Sequence, residues 1–513
     1  MELTNLPYQT TNRYSKLLID YVNEDKKLNP FVNHFPALSN FKKQITEKKN
    51  HTIDRGVLVK VLKEQNFNFP LSVASNSNIN LLKSEETFTV TTGHQLCLFT
   101  GPLYFIYKIV STINIAEQLK EKYPQNNFVP TFWMATEDHD FQEINHINLF
   151  GKKIVWDSKQ TGAVGRMSLD GFESVLMELK EVLGETENAK KLFSLFENAY
   201  LKHKNLADAT RFLVNELFGK FGLVIIDGDD KKLKQQFVPI IKKDVLQNGF
   251  VTAIKQNSKS LAKDYKAQAF VRDINFFKLT KGNRELIKGG IAKKDIEENP
   301  ENFSPNVLLR PLYQETILPN IAYIGGGAEV AYWMQLKTAF KQENIPFPIL
   351  VLRNSAMLID DKQKQKFESL GFEINDLFSS TEGLKKQYVL SNSKEDISLD
   401  IEKSELEKLH NKLLLKTNDK GLQASVKANH QKQLKSFEKL EQKLIRLEKQ
   451  KHDIALKKIE KIKTQLFPNT TLQERYDNFI PFYLKHGDNF IEILKESLNP
   501  LDANFVVLFP KIK

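Results

Sequence analysis

Cysteine is almost absent: Cys97 is the one thiol in 513 residues. A single cysteine excludes an intramolecular disulfide and any thiolate-rich zinc site. Glycine (22) and proline (18) are scarce, which argues against collagen-like or low-complexity architecture. No run of 18 or more apolar residues occurs, so no membrane-spanning helix is expected. Residues 1–22 lack a basic start followed by an apolar run, so no signal peptide is expected. What is present is a globular composition. Hydrophobic residues make up 41% and charged residues 27%, and 36 Phe with 14 Tyr can bury a large apolar area. The expectation is a cytoplasmic, soluble chain of about three domains.

The formal charge of +11 is unevenly placed. Between Lys427 and Lys463 twelve Lys/Arg stand against five acids, so +7 of the excess lies on one helical stretch. A basic helix face can bind nucleic acid or acidic lipid. No aromatic residues interleave this one for base stacking, and a solvated lysine face is the favoured reading.

Residues 1–85 read as helical and loop material, with helix-like spacing at Tyr14–Tyr21 and Arg55–Gln65 and Asn/Ser punctuation at 73–80. From Thr87 the pattern becomes strand, turn, helix, strand: 87–92, 103–120 and 128–135. The grammar recurs at 223–227, flanked by helices 206–221 and 231–246. It recurs again at 321–324 and 348–352, with a helix at 328–343 between them. Continuous apolar runs indicate strands covered on both faces, hence a parallel sheet. The fold class read here is α/β, a Rossmann-like doubly wound core within 86–390, with inserted connecting segments near 146–175 and 265–310. Residues 391–467 read as a long α-helical coiled coil, folded as an antiparallel hairpin turning near Thr417–Gly421. Its apolar seam is expected from Phe437, Leu440, Leu444, Leu447 and Ile454, then shifting to Ala455, Ile459, Ile462 and Leu466 as a stutter would, with Ile401, Leu406, Leu409 and Leu413 on the partner segment. Residues 468–513, apolar again, should return to the core.

Four clusters carry chemistry. Thr92-Gly93-His94-Gln95, followed by Gly101-Pro102, Tyr104 and Lys108, stands at a strand's carboxyl end, where such sheets bind ligands. Backbone N–H groups at Gly101, and at Gly326 in the fourth cluster, are expected to attract an anion. Glu137-Asp138-His139-Asp140, with Glu143, Asn145 and His146, follows the next strand. Its crowded carboxylates suit ammonium capture or general-base work, the alternative being an acid-rich helix start. Arg310-Pro311 with Gln314 and Glu315 offers an anion clamp, or else an ion pair between Arg310 and Glu315. Gly325-Gly326-Gly327, Glu329, Tyr332 and Trp333 follow a third strand, where glycines permit close backbone approach. No metal ligand set is assigned. Cys97 reads as a small buried hydrophobe.

These segments, in this order, together with Gln473-Glu474-Arg475, resemble the bacillithiol-biosynthesis cysteine-adding enzymes, the BshC family. His94, Leu96, Cys97 and Ala328 depart from residues common in that family. The resemblance implies amide formation between the cysteine carboxylate and the amine of glucosaminyl-malate, a coiled coil that makes a homodimer, and ATP (or ADP) as nucleotide. Residue type and placement suggest Asp138 or Asp140 for cysteine's ammonium, Lys108 and Arg310 for the malate carboxylates, and His139 or Glu137 as base. The competing reading is a synthetase-like nucleotide- and RNA-binding protein using the basic helix.

Overall fold

The computed structural model describes residues 2–393 and 398–510. The expected coiled-coil residues 394–397 and tail residues 511–513 lie outside the described residues. The described chain forms two compact units. One holds Met1–Met357 with Gln473–Lys513, the other Leu358–Leu472.

The first unit is organised by five parallel strands: β1 (Thr87–His94), β2 (Asn127–Met134), β3 (Val224–Asp227), β4 (Asn320–Gly325) and β5 (Ile349–Leu352). Their spatial order is β5-β4-β1-β2-β3, all parallel. Strand direction thus propagates outward both ways from β1, and a topological switch point falls between β1 and β4. Helices on both faces bury the strands fully, which is why they read as unbroken β-branched and apolar runs. β1 tolerates its threonines because their hydroxyls are satisfied inside the sheet. Thr91 Oγ1 donates to Asn320 Oδ1 at 2.7 Å, and Thr92 Oγ1 to the Ile324 carbonyl at 2.8 Å. Helix α1 (Tyr104–Lys122) follows β1 and is buried along most of its length, and helix α2 (Lys231–Gln247) follows β3.

The insertions take the expected antiparallel form. His146–Leu149 pairs with Lys152–Val155, and Phe276–Thr280 pairs with both Asn283–Leu286 and Phe303–Pro305. At the terminus, Asn504–Phe509 pairs antiparallel with Glu2–Pro7 inside the same unit.

Two local readings change. The Asn/Ser stretch at 73–80 is a helix, Val73–Leu81, capped by Ser72. Ser75 and Asn78 turn their polar groups onto the carbonyls of Gly219, Gly222 and Leu223, so residues that elsewhere punctuate loops here dock a helix. The helix expected at 328–343 is two helices, Gly327–Trp333 and Lys337–Gln342. The buried Gln335 amide between them is committed to the backbone of Gln268 and Ala269.

The second unit contains helices Asp400–Leu414, Lys420–Lys449 and Asp453–Leu466, the last two joined by a 3-10 turn at Gln450–His452. Lys403 bonds Glu441, His410 stacks on His430 at 4.6 Å, and Gln423 bonds the Thr417 carbonyl. Those pairings run in opposite directions, so the hairpin is antiparallel. Its seam follows the expected one only toward the end of the last helix, where Ile459, Ile462 and Leu466 are buried. Before that, Glu441, Ile445, Glu448 and His410 are buried, whereas Ile401, Leu409, Leu413, Leu440, Leu447 and Ile454 are exposed. Glu441 can occupy the seam because Lys386 and Lys403 both pair with it. A period counted on apolar residues alone misses such a position.

Candidate active site

Five strands that end together leave their carboxyl-terminal loops around one crevice, of about 850 Å³. β1 delivers Gly93, His94 and Gln95 to its wall, β2 delivers Glu137 and Asp138, and β4 delivers Gly326 and Glu329. Helix α3 (Arg310–Ile317) begins at the crevice with Arg310.

The acidic side is built around Asp138. Its Oδ1 accepts the His139 N–H at 2.7 Å, and its Oδ2 accepts Gln95 Nε2 at 2.8 Å. The same Gln95 nitrogen donates to Glu143 Oε2 at 2.8 Å, so one neutral amide bridges two carboxylates. Glu137 lies deeper, bonded to the fully buried Lys234, which also donates to the Phe303 carbonyl at 2.6 Å. Burial pushes the Glu137 carboxyl up to about 7, although the Lys234 charge opposes it.

The cationic side is held by helix α4 (Gly327–Trp333) and its neighbours. Glu329 accepts Lys108 Nζ at 2.7 Å, the Tyr323 hydroxyl at 2.7 Å and the Gly326 N–H at 2.8 Å. Arg310 is surrounded by the rings of Trp133, Tyr323 and Trp333, at 5.4–6.0 Å, and donates Nη1 to Gln314 Oε1 at 3.0 Å. Its Nη2 is buried without a hydrogen-bond partner.

A Rossmann-like sheet with its ligand crevice at the switch point is a widespread arrangement, and comparison with known proteins narrows it. Residues 1–354 match the family described as Bacillithiol biosynthesis BshC, N-terminal Rossmann-like domain, and residues 356–510 match its C-terminal coiled-coil domain. The chain belongs to the BshC family. A protein of Flavobacterium psychrophilum is 45% identical over 533 residues, covering 98% of each chain. One of Flavobacterium johnsoniae is 44% identical over 527 residues, covering 98% of this chain and 99% of its own. One of Bacillus cytotoxicus is 27% identical over 512 residues, covering 93% and 95%. Each carries the name "Putative cysteine ligase BshC". Membership favours the bacillithiol reading over the RNA-binding one.

In this BshC chain Gly93, His94, Gln95, Tyr104, Lys108, Glu137, Asp138, Glu143, Arg310, Gly326, Gly327, Glu329 and Tyr332 line the crevice together. The following residues given a site role from sequence do not. Asp140 is exposed and makes no cap bond to the short helix after it. His139 is exposed, and its Nδ1 accepts Arg284 Nη1 at 2.9 Å. Asn145 is buried against the Trp156 carbonyl. Gln314 is buried between Arg310 and Glu315. Trp333 is a core residue stacked on Tyr323, and Gly325 ends its strand packed against Glu329.

Four expectations are corrected by geometry. Lys108 is buried, bonded to the Gly93 carbonyl and Glu329, so it braces the site and is not a free clamp. The Gly326 N–H is taken by Glu329 from its own helix, which leaves no open anion cradle there. Gly101 is needed for packing: with φ +66°, its Cα faces Cys97, and a Cβ would stand 2.5 Å from Cys97 Cβ. Arg310 does not pair with Glu315, which is fully buried and bound to Lys48.

Arg353, Arg475, Arg284 and Arg272 also line the crevice and were given no site role. For Arg353 a signal existed, because it directly follows the strand 349–352. Arg475 was named only within a segment that carries the resemblance, and nothing local marks Arg284 or Arg272.

Cys97 is buried 3.8 Å from His94 Nδ1. That nitrogen also lies 2.9 Å from the Gln95 carbonyl, a contact that requires it to donate, so it cannot take the thiol proton. Burial pushes the thiol up to about 12 and the His94 imidazole down to about 3. Cys97→Ser is therefore expected to retain most turnover, and the native thiol to resist iodoacetamide at pH 7.5. A folded but inactive serine variant would require a thioester route instead.

Proposed function

We propose that this chain joins the carboxylate of cysteine to the amine of glucosaminyl-malate, forming an amide in the last step of bacillithiol assembly, in the cytoplasm. The observation that carries this reading is that the crevice is lined by charges of both signs. Carboxylates at 137, 138 and 143 gather around Gln95, Lys234 and Arg284, and arginines at 310, 353 and 475 are among the other lining residues. An amino acid presents an ammonium and a malate derivative presents carboxylates, so both charges find partners. A free carboxylate does not acylate an amine at neutral pH, and ATP is the proposed activator, supplying a phosphoryl or adenylyl leaving group. The buried, unpartnered Arg310 Nη2 fits an anionic oxygen, which either the malate or the nucleotide would bring.

Asp138 is proposed to hold the cysteine ammonium. Glu137 is proposed as the base that removes the proton from the attacking sugar amine, since a carboxylate near 7 accepts a proton from an amine better than an ordinary one. The decisive test is incubation of the purified protein with cysteine, glucosaminyl-malate and ATP, with mass-spectrometric detection of the amide. Absence of the amide with all three reactants refutes the reading.

Glu137 sets a pH dependence. Its raised carboxyl is protonated below about 7 and ionised above, so kcat/KM should rise through pH 7 and level off in the alkaline range. Glu137→Gln should abolish that limb and most of the activity. A variant that keeps the limb assigns it to another group.

The coiled coil is proposed to pair two copies of the chain. Support comes from the exposed apolar residues Ile401, Leu409, Leu413, Leu440 and Leu447 on the hairpin. Leu440→Asp with Leu447→Asp should convert a dimer to a monomer in sedimentation equilibrium. A protein that is monomeric before substitution overturns the assignment.

A further inference from the structure

Arg353 directly follows β5 at the carboxyl end of the sheet and is 4% exposed. Its guanidinium is fixed on several sides. Nη2 donates to Glu474 Oε1 at 2.8 Å, and Nη1 to the Asn354 carbonyl at 2.8 Å and to Ser355 Oγ at 3.3 Å. The Tyr104 ring lies 5.0 Å away. Glu474 is 1% exposed and also accepts the Ser355 hydroxyl and the Ala356 N–H, both at 3.1 Å. The remaining donor, Nε, is buried and has no hydrogen-bond partner.

A buried charged donor left unmet is costly unless something binds it. The space in front of Nε is open because residue 326 has no side chain. A Cβ on Gly326 would stand 3.8 Å from Nε and 3.4 Å from Glu329 Oε2. Arg310 Nη2, also unmet, borders the same crevice, and the Glu329 charge is already compensated by Lys108. The local balance is cationic. No other part of the molecule leaves two arginine donors unmet beside a cavity among the described residues.

We propose that Arg353, with Arg310, forms an oxyanion subsite at the β1–β4 switch point that takes a carboxylate or phosphoryl oxygen, and that Glu474 is the positioning residue that sets Arg353. Which reactant brings that oxygen rests on the ligase reading above; the binding itself does not. Glu474 lies 121 positions beyond Arg353 in the chain, so the segment after the second unit returns to complete the site.

The test is calorimetric titration of the full-length protein with L-malate and, separately, inorganic pyrophosphate, at low ionic strength. Binding of at least one is expected. Arg353→Lys keeps the charge but loses the planar fork, and should weaken that binding by about 10-fold or more. Gly326→Ala fits at ordinary contact distances and a permitted φ, so it should fold normally and weaken binding by filling the space before Nε. Glu474→Gln should weaken binding too, and adding Arg353→Lys to it should cost less than Arg353→Lys alone, as expected for groups acting as one unit. Malate alone binding identifies a carboxylate subsite, and pyrophosphate alone a phosphoryl one. If neither ion binds, or if Arg353→Lys and Gly326→Ala bind as the unaltered chain does, the proposal falls. Loss of the amide product with intact anion binding would instead strike the ligase reading.

Discussion

Asp138→Asn is expected to lower kcat/KM for cysteine by about 10²–10³-fold, while the urea unfolding midpoint moves little. The expectation follows from what each carboxylate oxygen does. Oδ1 accepts the N–H of His139, and Oδ2 accepts Gln95. An asparagine oxygen can keep the backbone bond, so the turn should survive. Its amide nitrogen then faces the Gln95 nitrogen, and if Gln95 rotates to relieve this, its oxygen is turned toward Glu143. The side chain is also uncharged, so an ammonium loses its counter-charge in a partly desolvated cleft, a loss within the range typical of removing a positioned charged group. Asp140→Asn is the matched control. Asp140 is exposed and outside the crevice, so its activity should stay near that of the unaltered chain. Steady-state kinetics of the two variants decide the matter: equal losses would remove Asp138 from the substrate site, and loss of stability in Asp138→Asn alone would make it a structural turn residue.

The contrast between these neighbours shows how far a sequence locates a site. The strands were legible because each is buried on both faces and therefore reads as a continuous apolar or β-branched run. Once the strands are placed, the residues at their carboxyl ends are placed too, and Gly93–Gln95, Glu137–Asp138 and Gly326–Glu329 do meet. Which side chains in a polar burst face inward depends on the turn geometry, and four consecutive residues such as 137–140 cannot all point one way. Lys108 looked available because only its distance from Gly93 along the chain could be seen. In the helix it lies under β1, where the Gly93 carbonyl and Glu329 consume its donors. Arg475, named only within a segment that carries the resemblance, could not be placed in the crevice for a different reason. It reaches the crevice after the whole second unit has intervened, and no periodicity reports where a returning segment lands.

The same sheet predicts a second large effect at its opposite end. Lys48→Met is expected to destabilise the first unit by about 3–5 kcal/mol, the range for stranding one partner of a buried ion pair. Lys48 and Glu315 are both fully buried, with Nζ 3.3 Å from Oε2 and 3.1 Å from the Glu315 carbonyl. Glu315 Oε1 also accepts Asn320 Nδ2 at 2.6 Å and Gln314 Nε2 at 2.9 Å, and Asn320 Oδ1 in turn receives the Thr91 hydroxyl. One polar network therefore ties the helix Phe41–Lys49 to α3, β4 and β1. Burial pushes the Glu315 carboxyl up and the Lys48 ammonium down, so the pair is held against the preference of both groups for water. Without Lys48 the carboxyl is raised further, and the folded variant binds a proton that the unfolded chain releases. Its stability should then rise as pH falls from 8 toward the unfolded carboxylate value, and the deficit relative to the unaltered chain should shrink. Glu315→Gln added to Lys48→Met keeps an acceptor for Asn320 and removes the stranded charge, so it should recover much of the loss at pH 8. Urea unfolding across that pH range tests each step, and a deficit that grows on acidification would show that the lost stability is packing around the lysine stem and has no electrostatic origin. Asn320 opens β4 whereas the crevice lies beyond its other end, so Lys48→Met, measured where it is still folded, should leave KM unchanged.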